Sequence, residues 1–212
     1  GGLGLTGFVT WVELQLRPID GPMLCEESIK FANLDEFFDL SDASDQVFEY
    51  TDAWVDCVSR GEALGRGLFA RANHVPVRAS TSSASERPSS RLSLPFTPPV
   101  SLVNRWSLKA FNSLYYARQR QSQCLRTLHY QRFFYPLDAV GNWNRIYGPK
   151  GMLQYQCVLP GPEGRAVMHD MLKAIAYAGD GSFLAVLKIF GDQPSPGLLS
   201  FPRPGVTLER LG

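Results

Sequence analysis

The sequence predicts an α+β domain with a mainly antiparallel sheet and helices packed on one side. Strand-like segments outnumber helical ones, the two kinds do not alternate regularly as a doubly wound sheet requires, and the helical segments each carry one apolar face. At 212 residues and 44% hydrophobic content, the chain is long enough to bury a sizeable core.

The first seven residues, Gly-Gly-Leu-Gly-Leu-Thr-Gly, read as a glycine-rich turn, after which Val12, Leu14 and Leu16 alternate with Glu13, Gln15 and Arg17. Period-two alternation over Phe8 to Leu16, ending at Pro18, predicts a half-buried strand. Asn33 can cap a short helix in which Glu36 reaches back and Leu34, Phe37 and Phe38 share one face. Val47 to Asp56 is aromatic and β-rich, and Gly67 to Ala72 can pair with it through the turn region Ser59-Arg60-Gly61. Residues 79–93 are too polar to repay their own ordering entropy, so a flexible loop is expected over 79–99, closed by Pro95, Pro98 and Pro99.

Trp106 to Tyr116 spaces Leu108, Phe111 and Tyr115 as a helix with an aromatic face. Leu125 to Phe134, Met152 to Leu159 and Ser182 to Phe190 read as strands. Between the last two, Glu163 to Ala178 is the best-signalled helix: Met168, Met171, Leu172 and Ile175 fall at helical spacing, Pro162 stands near its start and Gly179 at its end.

Lys and Arg total 21 against 20 Asp and Glu, a net charge of +1, and no dense basic stripe is present, which argues against a nucleic-acid partner. No apolar run reaches the roughly 20 residues of a membrane span, and the opening segment lacks the basic and apolar regions of a signal peptide. Cys25, Cys57, Cys124 and Cys157 are scattered without a CxxC pair, so no zinc site is expected and thiols in a reducing compartment are. His74, His129 and His169 converge on no ligand set, so no metal is expected either. There is no nucleophile elbow. The chain begins without methionine inside an apparent motif, which suggests a piece of a longer protein.

Three features carry possible chemistry, each beside a plainer reading. The glycine turn can bring backbone N–H groups to a phosphate or be turn geometry alone; it lacks the Gly-Lys-Ser/Thr of a P-loop and precedes a strand. Gln154 and Gln156 share a strand face, either as paired amides for sugar-like hydroxyls or as an ordinary solvated surface. Lys188 shares a face with Leu184, Val186 and Phe190, and either snorkels at a sheet edge or points into a pocket.

Several motifs, in register from the first residue almost to the last, carry a resemblance. They are Gly-Gly-Leu-Gly-Leu-Thr-Gly-Phe-Val at the start, Ala53-Trp54-Val55-Asp56, Phe134-Tyr135-Pro136-Leu137-Asp138, Trp143-Asn144-Arg145-Ile146-Tyr147-Gly148, Gln154-Tyr155-Gln156, Ser182 to Lys188, and Leu199-Ser200-Phe201-Pro202-Arg203-Pro204-Gly205. Together they resemble FAD-dependent oxidoreductases of the vanillyl-alcohol-oxidase type. The nearer branch is the decaprenylphosphoryl-ribose oxidases and the more distant one the aldonolactone oxidases.

The resemblance implies that residues 1–18 are the last strand segment of a FAD-binding domain, 19–208 a substrate-binding (cap) domain, and 209–212 a divergent or truncated tail. It implies that Gly2, Gly4, Leu5, Thr6 and Gly7 lie near the dinucleotide. It implies that Trp54, Phe134, Gln154, Gln156, Leu184, Val186, Lys188 and Phe190 line the substrate pocket, with Lys188 in a supporting electrostatic role. Phe134 stands where the sugar-phosphate oxidases usually carry a tyrosine, so a hydroxyl is missing there.

The implied activity is oxidation of a secondary hydroxyl of a sugar or polyprenyl-phosphoryl pentose to a ketone, with FAD bound in the parent protein and none in this piece, which is expected to be inactive alone. An aldonolactone oxidase and a non-catalytic sugar-binding or scaffold domain are the alternatives. The expected partners are a small or lipid-linked sugar and the FAD-binding domain of the same chain, with self-association of the isolated piece. The expected location is the cytoplasm, with peripheral membrane attachment as a further option.

Overall fold

In the computed structural model, which describes residues 4–76, 92–161, 163–179, 181–191, 194 and 197–211, seven strands build one sheet. They are β1 (Met23–Phe31), β2 (Tyr50–Val55), β3 (Gly67–His74), β5 (Gln123–His129), β7 (Gln154–Leu159), β8 (Ala185–Phe190) and β9 (Gly205–Leu211). The spatial order is β5-β1-β3-β2-β8-β9-β7, antiparallel at every junction. Two-residue β4 (Leu92–Ser93) and β6 (Val140–Gly141) form a separate parallel pair. The helices are α1 (Leu34–Ser44), α2 (Arg105–Arg118), α3 (Tyr130–Phe134) and α4 (Gly164–Ala178). The expected α+β class with a mainly antiparallel sheet is the one observed.

Strand alternation gives the sheet two different faces. On one, Phe31, Ala53, Val55, Phe69, Ala185, Leu187, Val206 and Leu208 meet Leu34, Phe37 and Phe38 of α1 and Met168, Leu172 and Ala176 of α4. Each fully buried large side chain there contributes about 1.5–3 kcal/mol, so this layer holds the domain together. Gly67 is required by close approach: a Cβ would lie 2.1 Å from the Trp54 carbonyl oxygen and 2.4 Å from the Phe31 ring.

The helix signals work largely as read. Asn33 Oδ1 accepts from the Glu36 N–H at 3.0 Å, while the Glu36 carboxylate accepts from the Ala32 N–H at 2.6 Å, one residue earlier than a standard capping box. Gly179, at φ +80°, ends α4 with its N–H donated to the Ile175 carbonyl at 3.1 Å. Pro162 lies outside the described residues, as do 79–91 of the expected loop. Residues 92–95 are tied down: β4 pairs with β6, and Arg145 donates to the carbonyls of Leu94 and Pro95.

Three expectations are corrected. Phe8 to Leu16 forms no strand, and Val12, Leu14 and Leu16 are 68%, 71% and 77% exposed. Alternation sorts side chains onto two faces but supplies no hydrogen-bond partner, and no described strand pairs with this segment. The segment Leu125 to Phe134 is strand only to His129; the His129 ring then accepts from the Gln131 N–H at 3.3 Å and α3 begins. Finally, β1 and β9 are present without having been expected, and Glu209 and Arg210 run within β9, between β8 and β7.

Candidate functional site

The face opposite α1 and α4 is organised in rows, because residues opposite one another on adjacent strands point the same way. Trp54 stands opposite Val186, Val186 opposite Glu209, and Glu209 opposite Gln156. Continuing the β2–β8 register by two residues sets Asp52 beside Lys188, which stands opposite Thr207, which stands opposite Val158. A third row holds Tyr50, Phe190 and Gly205. The fold therefore brings Trp54, Gln154, Gln156, Val186, Lys188 and Phe190 onto one face, with Leu184 on the approach to β8.

Aromatic groups close two ends of this face. At one, the Trp54 indole N–H donates to the Phe183 carbonyl at 2.9 Å, its ring lies 4.7 Å from Tyr115 of α2, and Phe111 abuts Phe183 at 4.9 Å. At the other, Phe134 on α3 meets the Tyr50 ring edge-on at 5.0 Å, and Phe190 lies 6.3 Å from Phe201. Phe134 is thus joined to the site through Tyr50.

The middle is polar. Gln154 donates its amide to the Glu209 carboxylate at 2.5 Å, so one of the two paired amides is already engaged and Gln156 stands across from the same carboxylate. Burial pushes the Asp52 carboxyl up to about 6, with Glu209 and Glu26 adding to the rise and Lys188 opposing it. Asp52 Oδ1 and Thr207 Oγ1 are both buried without a hydrogen-bond partner. On β1 and β5, Glu26, 4% exposed, accepts both arms of Arg126 at 2.8 Å. Asp52, Thr207 and Glu209 were not among the sequence candidates; only the strand register reveals them as neighbours of Lys188.

The candidate cofactor residues lie elsewhere. Gly4, Leu5, Thr6 and Gly7 form an exposed turn, with φ +76° at Gly4 and +153° at Gly7 and open space where their Cβ atoms would stand. Gly2 lies outside the described residues. Two hollows lie on the side of α1 and α4: an apolar groove of about 490 Å³ lined by Leu153, Tyr155, Met171, Ala174, Ile175 and Arg210, and a hollow of about 380 Å³ lined by residues of α1 and α4. Among the described residues no three His, Cys, Asp or Glu are placed to hold a metal, and no helix is long and apolar enough to cross a membrane. Burial lifts the Cys57 thiol to about 11, so it is a packing group.

The chain is 31% identical over 211 residues, 97% of its length, to the decaprenylphosphoryl-beta-D-ribose oxidase of Mycolicibacterium smegmatis. It is 30% identical over 214 residues, again 97% of its length, to an "uncharacterized protein in mprA 5′region" of Streptomyces coelicolor. The matches cover 45% and 58% of those two proteins, so the chain spans about half the length of the curated relatives it matches. No family model matches it. The resemblance carried by the separated motifs is thus borne out over nearly the whole chain.

Proposed function

We propose that this chain is the substrate-facing domain of a FAD-dependent oxidoreductase that oxidises a secondary hydroxyl of a sugar, or of a polyprenyl-phosphoryl pentose, to a ketone. The observation that carries the reading is the gathering of Gln154, Gln156 and Lys188 with Trp54, Val186 and Phe190 on one sheet face. Similarity to a ribose oxidase over 97% of the chain supports it.

The residues present fit one wall of a flavin site. The open space at Gly4 and Gly7 leaves backbone N–H groups reachable for a dinucleotide phosphate, with Leu5 and Thr6 between them. The remainder of the FAD belongs, in this reading, to the FAD-binding domain of the parent protein, so these 212 residues alone bind no FAD and are inactive. When bound, FAD supplies the acceptor for the hydride of the carbinol carbon. The work of this chain is orientation. Gln156, beside the Gln154–Glu209 pair, offers both a donor and an acceptor to sugar hydroxyls. Lys188 favours negative charge developing on the reacting oxygen. Trp54 and Phe190 form apolar walls that exclude water and fix the sugar ring.

The test is an absorbance spectrum of the full-length parent protein, followed by anaerobic addition of a polyprenyl-phosphoryl pentose. Flavin bands that bleach on addition are expected. Persistent bands exclude this substrate, with sugar lactones as the next to test, and absent bands overturn the flavoenzyme reading.

A further inference from the structure

Lys188 is the centre of the polar face, and its neighbours are the unusual part. Asp52 lies on one side of it and Thr207 on the other, each with a buried oxygen that has no hydrogen-bond partner, and Glu209 occupies the adjoining row. Lys188 itself, half-buried, closes no ion pair or hydrogen bond among the described residues. Leaving buried polar oxygens unmatched around a cation costs stability, and such an arrangement is retained where something else completes it.

The charge count decides what that something is. Asp52 beside Lys188 and Glu209 in the adjoining row set two carboxylates around one ammonium, so the cluster carries formal charge −1 when all three are ionised. Burial lifts Asp52 to about 6, still below neutral, so the carboxylate prevails at pH 7.5. Arg126, four strands away on β5, is already held in both arms by Glu26. Phosphate sites need the opposite balance, an excess of cations or aligned backbone N–H groups. A neutral polyol suits this row instead, because each hydroxyl both donates to a carboxylate and accepts from an ammonium.

We propose that the Asp52–Lys188–Thr207 row, with Glu209, is a subsite for the neutral hydroxyl-bearing part of the substrate, and that Asp52 is the specificity-determining residue that keeps phosphate off it. Any phosphate of the substrate then lies away from this row. The inference rests on the reading of this face as the sugar site.

The test uses the full-length parent protein as wild type, Asp52→Asn, Asp52→Glu and Glu209→Gln, with D-ribose and D-ribose 5-phosphate as probes and calorimetry as the readout at pH 7.5. Wild type binds D-ribose more tightly than the phosphate. Asp52→Asn shifts the ratio of the two dissociation constants at least about fivefold toward the phosphate, as expected for removing one nearby charge, and Asp52→Glu restores it. A ratio unchanged within about twofold in Asp52→Asn, or a wild-type preference for the phosphate, overturns the inference. Should Asp52→Asn lack a cooperative unfolding transition, Glu209→Gln, which makes the same charge change, decides by the same ratio. The assay is independent of turnover: failure to oxidise any pentoside overturns the proposed function, while the binding ratio still decides the subsite.

Discussion

Asn112 of α2 donates its side-chain amide to the Asp56 carboxylate at 3.0 Å, and both residues are fully buried. The same carboxylate accepts from Arg66 Nε at 3.0 Å and from the Val58 N–H at 3.2 Å, while the Asn112 amide also reaches the Ser182 carbonyl at 3.3 Å. One polar knot thus fastens α2 to the end of β2 and to the approach of β8. It also fixes Tyr115 against Trp54, at the aromatic end of the candidate site. Stability and site geometry share this anchor.

Asn112→Ala is therefore expected to lower the unfolding free energy by about 2 kcal/mol, because it deprives a buried carboxylate of a donor. In the full-length protein it should also weaken sugar binding by loosening Tyr115. Urea unfolding checks the first effect, and an unchanged midpoint would show that the knot contributes nothing net.

Asp52 should have the opposite sign. In the unfolded chain its carboxyl titrates near 3.8, and in the fold burial raises it to about 6. Between those values the folded state holds the extra proton, so stability falls as pH rises through the window, and the penalty is complete above about pH 6. Holding the proton across that window corresponds to roughly 3 kcal/mol. Asp52→Asn should consequently be more stable than wild type at pH 7.5, by up to about that amount, and nearly equal to it at pH 4. Melting curves at the two pH values decide. A variant that melts lower at pH 7.5 would mean that the Lys188 attraction outweighs the burial cost.

The sequence was most informative where local chemistry and tertiary structure agree. Asn33 and Gly179 mark helix ends because capping is settled within a few residues. Strand β1 escaped notice because Glu26, Glu27 and Ser28 interrupt any apolar pattern, and Glu26 is tolerable in the interior only through Arg126, a hundred residues away. Strand β9 was obscured by Glu209 and Arg210, which look like tail residues until β7 and β8 are seen to flank them. Gln154, Gln156 and Lys188 could be singled out from strand alternation. Asp52 and Thr207 could not, because their relation to Lys188 exists only in the register of three strands distant in sequence.

Gln156 offers the sharpest kinetic expectation. It is exposed, faces Glu209, and carries no core packing, so its removal should leave the fold intact. In the full-length enzyme Gln156→Ala should reduce kcat/KM by about tenfold, through KM if the amide holds the sugar uniformly and through kcat if it aligns the reacting carbon. Steady-state kinetics separate the two, and unchanged values would remove Gln156 from the site. Gln154→Ala should act differently, since it releases the Glu209 carboxylate and adds an unpaired acceptor to the row.

The isolated chain should also associate with itself. Strand β7 is an edge of the sheet, paired on one side to β9 and, among the described residues, open on the other. Beside it, Leu153 and Tyr155 are 83% and 53% exposed over the groove formed with Met171 and Ile175. Val12, Leu14 and Leu16 add an exposed apolar strip whose alternation suits addition to a strand edge. An open edge next to uncovered apolar surface favours pairing between copies, whereas a charge placed on that edge opposes it. Tyr155→Lys should therefore reduce self-association without unfolding the domain, because the side chain is already largely in solvent. Sedimentation velocity over a range of concentrations reads this directly, and a wild-type chain that stays monomeric throughout would show that neither the edge nor the strip is adhesive.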